Sequence, residues 1–360
     1  MKILHCIASL KTGGAERRLS YIATGLKQRG WDVHVAFVEG GPNKTRLREA
    51  DVALHQFHGR SALSPMLWID LTRLFRSLQA DVIHTWLPMM DIAGGGVARC
   101  LGATFVMSET SGMARHGWMR ELLREMVAAG ADAVVTNSEG GRERWSAVLR
   151  STRVSVIRNG IPFDEIAAAS PVDRKVTGLR QDVPVVLYAG RLDAGKNVDN
   201  LVKAVGRLSK SRTIQCLIAG DGSEWQPVQD EVKAQGSEPP VRLLGNVSEP
   251  WSLMKSSNLF VSLSRSEGQP NAVLEAIACG CPLVVSDIPA HREFLDENTA
   301  VFVDYSSIES ICRGIATVLD DPESARRRST AAFERIQHWS VDKLIDEYEK
   351  LYRGIVGNRR

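Results

Sequence analysis

The chain lacks any apolar stretch long enough to cross a bilayer: no window of its 360 residues approaches the roughly 18 uninterrupted apolar side chains that a spanning helix needs. No leader is expected either, because Met1-Lys2-Ile3-Leu4-His5-Cys6-Ile7 meets Lys11 too soon and reads as a first β-strand. Aromatic residues are only 6% of the chain, and no dense Lys/Arg stripe interleaves them, so a nucleic-acid surface is not expected. Of the six cysteines (Cys6, Cys100, Cys216, Cys279, Cys281 and Cys312), only Cys279 and Cys281 lie close together. No second pair or His cluster completes a metal site, and most of these thiols fall in apolar runs where cysteine packs as a small hydrophobe. A reduced, cytoplasmic protein is expected. Gly-x-Gly-x-x-Gly is also missing, which argues against a nicotinamide or flavin enzyme.

What remains is ordinary globular composition, with 44% apolar and 24% charged residues and 30 glycines. Its length suits two domains, each large enough for its own core. The net charge of +3 is uneven: the chain through Glu165 carries 21 Lys/Arg against 16 Asp/Glu, and the rest 24 against 26. A basic first half suits an anionic membrane surface or a diphosphate-linked molecule, although ordinary surface variation produces imbalances of this size.

Short β-branched runs alternate with helical stretches, the pattern of parallel sheets with crossover helices. Strands are expected at 3–8, 33–38, 53–57, 82–84, 105–108, 133–136 and 154–157, with helices at 15–29, 65–78, 89–101, 119–129 and 139–149. After a break at Arg158-Asn159-Gly160-Ile161-Pro162 and a polar stretch at 167–180, the pattern restarts. Strands then fall at 185–189, 214–219, 241–244, 259–263, 283–286 and 301–303, and helices at 198–208, 225–234, 251–255, 271–279 and 308–319. Two doubly wound domains, 1–165 and 166–338, are the natural reading. Residues 339–360 open on the N-cap Ser340 and carry helical spacing at Val341, Leu344, Ile345, Tyr348 and Leu351.

The most telling segment is Ser266-Glu267-Gly268-Gln269-Pro270-Asn271-Ala272-Val273-Leu274-Glu275, with Gly280-Cys281-Pro282-Leu283-Val284-Val285 close behind. Glu267 lies in a Gly/Pro loop free to meet a ligand, and Glu275 sits about one turn inside the following helix. Amides around Asn271, Ala272 and Val273, at that helix's start, suit an anion such as a diphosphate. This segment resembles the Glu-x7-Glu motif of retaining sugar-nucleotide glycosyltransferases, in particular glycosyltransferase family 4 (group 1). Other matches follow in the family's order. Gly190-Arg191-Leu192-Asp193-Ala194-Gly195-Lys196-Asn197 is similar to Gly-Arg-Leu-x-x-x-Lys-Gly, with Asn197 in the final glycine's place. Thr12-Gly13-Gly14-Ala15-Glu16 opens the first helix as a tight turn or an anion cradle, Gly220-Asp221-Gly222 is a strand-end turn, and Leu243-Leu244-Gly245 is similar to the segment around the nucleotide base.

The resemblance implies the GT-B fold: an α/β architecture of two doubly wound, Rossmann-like parallel-sheet domains facing a cleft, with the C-terminal helix crossing back to the first. It implies an acceptor-side first domain and a donor-binding second. Glu267, Arg191 and Lys196 would be catalytic. Gly13, Gly14, Gly190, Asp221, Leu244, Asn271, Ala272, Val273 and Glu275 would bind the donor, with Glu275 on the ribose. Many relatives carry a His at the end of the fifth strand; here Ser108-Glu109-Thr110 stands instead, so that Glu109, Thr110 and, less securely placed, His116 are the candidates for the acceptor or sugar wall. The implied reaction is retaining transfer of a sugar, UDP-linked by preference, to a glycan or lipid-linked acceptor of bacterial surface polysaccharide synthesis. The nucleotide-sugar is the substrate and no cofactor is expected. Because no Asp-x-Asp occurs, no metal is expected either. Met113-Ala114-Arg115-His116-Gly117-Trp118-Met119-Arg120 suits either a peripheral contact with the inner face of a membrane or a loop entering a core helix. A GT-B sugar-nucleotide epimerase and a non-catalytic nucleotide-sugar binder are the alternatives.

Overall fold

The structure, a computed structural model, describes residues 1–59, 61–109, 117–149, 152–172, 180, 182–236, 238–248 and 250–359, the side chain of 359 excepted. The chain forms two compact units, one of Met1–Gly160 with Trp339–Arg360 and the other of Ile161–His338.

In the first unit the strands are β1 (Lys2–Ser9), β2 (Asp32–Glu39), β3 (Ala53–Gln56), β4 (Val82–Trp86), β5 (Phe105–Glu109), β6 (Ala133–Thr136) and β7 (Arg153–Val156). Its first helices are α1 (Gly14–Gln28), α2 (Asn43–Glu49), α3 (Pro65–Leu78), α4 (Leu87–Cys100), α5 (Trp118–Ala128) and α6 (Glu139–Val148). The second unit holds α7 (Phe163–Ala168), β8 (Val185–Ala189), α8 (Val198–Leu208), β9 (Gln215–Ala219), α9 (Trp225–Lys233) and β10 (Val241–Gly245). It continues with α10 (Pro250–Ser256), β11 (Leu259–Ser262), α11 (Asn271–Ala278), β12 (Leu283–Ser286) and α12 (Pro289–Arg292). It ends with β13 (Val301–Val303), α13 (Ile308–Asp320) and α14 (Pro322–Ile336), and α15 (Val341–Arg359) then closes the chain within the first unit.

Both sheets are parallel throughout, ordered β3-β2-β1-β4-β5-β6-β7 and β10-β9-β8-β11-β12-β13. Central strands such as β4, β5, β8, β11 and β12 are buried along their whole length, which is why their sequences read as short runs of Val, Ile and Leu rather than as alternation. The helices bury the complementary stripe: α8 turns in Val198, Leu201, Val202 and Val205, at the spacing of one helical face. In each sheet the strand order reverses next to its first strand, between β1 and β4 and between β8 and β11. Such a reversal opens a crevice at the carboxyl ends of the strands, where open α/β sheets bind ligands.

Helix α14 was not expected from the sequence. It has few large apolar residues, burying Ala325, Ser329, Ala332 and Ile336, and so shows only a faint helical period. Its start was nonetheless signalled: Asp321 caps it by accepting from the Ser324 amide at 3.0 Å, with Pro322 at its first position. It packs against α11 and α13 and so backs the helix that carries Glu275.

Helix α15 lies on α1, and its Leu344, Ile345, Tyr348, Leu351, Tyr352 and Ile355 complete the core on that face of the first sheet. Beneath it, the Tyr352 hydroxyl and His84 Nδ1 are 2.6 Å apart, and His84 Nε2 is 2.8 Å from Ser108 Oγ. His5 and His84, on the neighbouring strands β1 and β4, are wholly buried in this aromatic cluster, where burial pushes the His5 pKa down to about 3 and keeps its ring neutral. The two helices touch so closely at Gly25 that a side-chain carbon there would overlap Ile345 Cδ1. Gly25→Val should therefore cost about 1–3 kcal/mol through overpacking. Gly354→Ala, on the exposed side of α15 where nothing lies within 4 Å, should gain about 0.5–1 kcal/mol. Urea unfolding of the two variants checks both signs on one helix pair.

Candidate functional site

The second sheet gathers its candidates at one edge. β8 ends at Ala189, and the Gly190 amide donates to Ala219 O at the end of β9 (2.9 Å). The two strand ends then run so close that a Cβ on Gly220 would overlap the Gly190 carbonyl oxygen, and one on Gly222 would overlap that of Leu192. With Gly220 at φ +152° and Gly222 at φ +159°, glycine is required on both counts. Asp221 acts here as a turn residue: its carbonyl accepts from the Leu192 amide (2.9 Å) and its side chain from the Gly222 amide (2.7 Å). Leu244 follows at the end of β10, half-buried.

From Gly190 the chain enters a loop stiffened by Asp193. This carboxylate accepts from Arg191 Nε (3.0 Å) and from the Gly195 amide (3.0 Å), capping the single 3-10 turn at Ala194–Lys196. The Arg191 guanidinium stays exposed, and its carbonyl accepts from the Tyr188 hydroxyl at 2.8 Å. Burial first, then the Glu267 charge, push the Tyr188 pKa up, so that the hydroxyl remains a donor.

Glu267 reaches this loop from β11, the strand on the other side of the order reversal. Its Oε1 accepts from Lys196 Nζ at 2.5 Å and from Ser264 Oγ at 2.7 Å. Ser264 is itself held by Ser286 Oγ, which donates to its carbonyl (2.6 Å), while the buried His291 Nδ1 lies 2.8 Å from Ser286 O. Burial lowers the His291 pKa, so this supporting layer is neutral and leaves the Lys196–Glu267 pair as the local charge. Ser264, Ser286 and His291 were not singled out in the sequence; their signal lies only in their nearness to strand ends.

Pro270 then starts α11. The amide of Val273 donates to Pro270 O (3.0 Å) and is committed within the helix, whereas Asn271 and Ala272 are half-buried in its first turn. Glu275 is 5% exposed, and its Oε2 accepts from the Trp251 indole of α10 at 2.8 Å. The spacing of seven residues thus serves two differently placed carboxylates, one beside a cation and one among apolar side chains next to an indole.

In the first unit, Gly13 is the N-cap of α1 and Gly14 its first residue. The Glu16 carboxylate folds back against Gly13, where a side chain would overlap Glu16 Oε2, and accepts from Ser9 Oγ (2.8 Å). Glu109 is not presented to a ligand. At 2% exposure it pairs with Arg124 Nη2 (2.9 Å) and faces Arg144 Nη1 (3.9 Å). Arg124 also forks onto Asp91 Oδ2 at 2.9 and 3.1 Å, and Asp91 Oδ1 accepts from Thr85 Oγ1 (2.9 Å). Burial alone would weaken the Arg124 cation, but Asp91, Glu109 and Glu121 outweigh it and push its pKa up. Glu109, expected at the acceptor or sugar wall, lies at the carboxyl end of β5 as a partner of this buried cation. Thr110 and His116 lie outside the described residues.

Comparison with known proteins identifies the family. Residues 12–165 match the family model Glycosyltransferase Family 4, and residues 170–335 match Glycosyl transferases group 1. The chain is 25% identical to the lipopolysaccharide core biosynthesis glycosyltransferase LpsE of Rhizobium meliloti over 98% of both chains. It is 24% identical to the UDP-Gal:alpha-D-GlcNAc-diphosphoundecaprenol alpha-1,3-galactosyltransferase of Escherichia coli, over 81% of this chain and 80% of that one. The crystal structure of HepE from Anabaena in complex with UDP and glucose superposes with a TM-score of 0.86 at 19% identity, covering 98% of this chain and all of the other. The chain belongs to the group 1, family 4 glycosyltransferases and has the GT-B fold.

Proposed function

We propose that the protein transfers a hexose, with retention of configuration and without a metal ion, from a UDP-sugar to a hydroxyl of a glycan or lipid-linked acceptor in surface polysaccharide assembly. The observation that carries this reading is the meeting of Lys196 and Glu267 across the order reversal of the second sheet, with Arg191 exposed on the same loop. The second unit would hold the donor and the first the acceptor. UDP as carrier and a diphosphoundecaprenol-linked acceptor are supported by the relatives' names and by the UDP complexes of HepE.

The chemistry follows from charge. As the bond between the sugar's anomeric carbon and the diphosphate breaks, negative charge grows on the leaving phosphate and positive charge at the sugar ring. Arg191 offers a planar fork and Lys196 a mobile point charge to the first, with the α11 amides adding a fixed dipole. Glu267 supports the second and orients the transferred sugar. The acceptor oxygen attacks on the face the phosphate leaves, and its proton passes to a phosphate oxygen, so no separate base is needed. Glu275 takes ribose hydroxyls.

A peripheral membrane contact belongs to the same proposal. Helix α5 exposes Trp118 (76%), Met119, Leu122 and Met126 along its length, and the start of α3 and its approach expose Leu63, Met66 and Ile69. Both helices pack against α4, and Arg73, Arg76, Arg99 and Arg120 are exposed on the three. Large apolar side chains flanked by arginines suit an anionic lipid surface. Among the described residues no helix is long and apolar enough to cross a membrane.

Glu267→Gln should cut turnover of the UDP-sugar by more than tenfold while changing UDP affinity less. Lys196→Ala should cost about 2–4 kcal/mol of transition-state stabilisation, the scale of one lost preorganised partner. Glu275→Gln keeps an acceptor for Trp251 yet should weaken UDP binding, and unchanged affinity in calorimetry would remove the ribose role. Vesicle co-sedimentation checks the surface: the protein should pellet with phosphatidylglycerol vesicles more than with phosphatidylcholine, and Trp118→Ser with Leu122→Ser should abolish the difference.

A further inference from the structure

Asn197 stands where the motif of the Lys196 loop ends in glycine, and its conformation explains why a side chain fits. It sits in the left-handed region at φ +57°, ψ +38°, which asparagine tolerates better than most residues. It is 1% exposed, and both ends of its side-chain amide are hydrogen-bonded. Nδ2 donates to the carbonyl of Tyr305 at 2.8 Å, just after β13, an acceptor it shares with Asn200 Nδ2 at 3.0 Å. Oδ1 accepts from Arg265 Nη2 at 3.3 Å, in the loop that leads from β11 to Glu267. The Arg265 amide in turn donates to Gly195 O at 2.8 Å, so the two loops are tied twice, one residue to either side of Lys196.

We propose that Asn197 is a positioning residue that fixes the Lys196 ammonium for the donor diphosphate by tying its loop to the Glu267 loop and to the end of β13. The proposal rests on the reading of Lys196 as a phosphate partner. A lysine stem has four rotatable carbons, and holding both ends of its backbone turn is the means by which this fold limits where the charge can go. Glycine would keep the left-handed turn but supply neither bond.

The test is a double-mutant cycle read by calorimetric titration with UDP, with thermal midpoints as the check on folding. Asn197→Gly, which adopts the same backbone without strain, should weaken UDP binding about tenfold in the wild-type background while the midpoint moves by only a few degrees. In a Lys196→Ala background the same change should weaken binding less than twofold, because the charge it positions is gone. An equal loss in both backgrounds, or no loss in the first, overturns the positioning role. Failure of the wild-type protein to bind UDP at all overturns the donor reading, and this proposal with it.

Discussion

The Lys196–Glu267 ion pair is the interaction on which the candidate site depends. It joins residues 71 apart in sequence, and it forms because β8 and β11 are neighbours at the point where the second sheet's strand order reverses. An ion pair between two loops is kept in one geometry only if both loops are held. They are: Asp193 caps one, Ser264 steadies the other through Ser286, and Asn197 bridges them. The glycines at 190, 220 and 222 make the crowding of strand ends sterically allowed in the first place.

Charge is handled differently in the two units. In the first, Arg124 is buried with Asp91 and Glu109 to compensate it, and Thr85 donates a further hydrogen bond to Asp91. Such a cluster is expensive to desolvate, and losing one member leaves an uncompensated buried charge where α4, α5 and β5 meet. In the second, the Arg191 cation is left exposed and pairs with the Asp193 carboxylate beside it. A guanidinium in that position can change partners when an anion arrives at little cost.

The alternation of β-branched runs with helical stretches was legible because parallel strands buried on both faces need no other pattern, and the strand-end motifs marked the sheet edge that gathers Arg191, Lys196 and Glu267. What could not be read was set by packing across long sequence distances. Glu109 reads as a candidate for the acceptor or sugar wall, and nothing local shows that Arg124, fifteen residues on, turns back to pair with it. Nothing near His5 and His84 in the sequence announces their burial, because the side chains that cover them, Tyr348 and Tyr352 of α15, come more than 250 residues later. Helix α14 hides because alanine and serine, rather than leucine, face its neighbours. The departure at Asn197 was visible as a mismatch to the motif, but its two bonds were not.

The central claim is that the loops around Lys196 and Glu267 form a nucleoside-diphosphate site that works without a metal. Its most direct measurement is calorimetric titration with UDP, GDP and ADP, each with and without EDTA. The account predicts that UDP binds most tightly and that EDTA leaves its affinity unchanged. Binding of none of the three would contradict the donor site, and binding abolished by EDTA would contradict the charge stabilisation assigned to Arg191, Lys196 and the α11 amides.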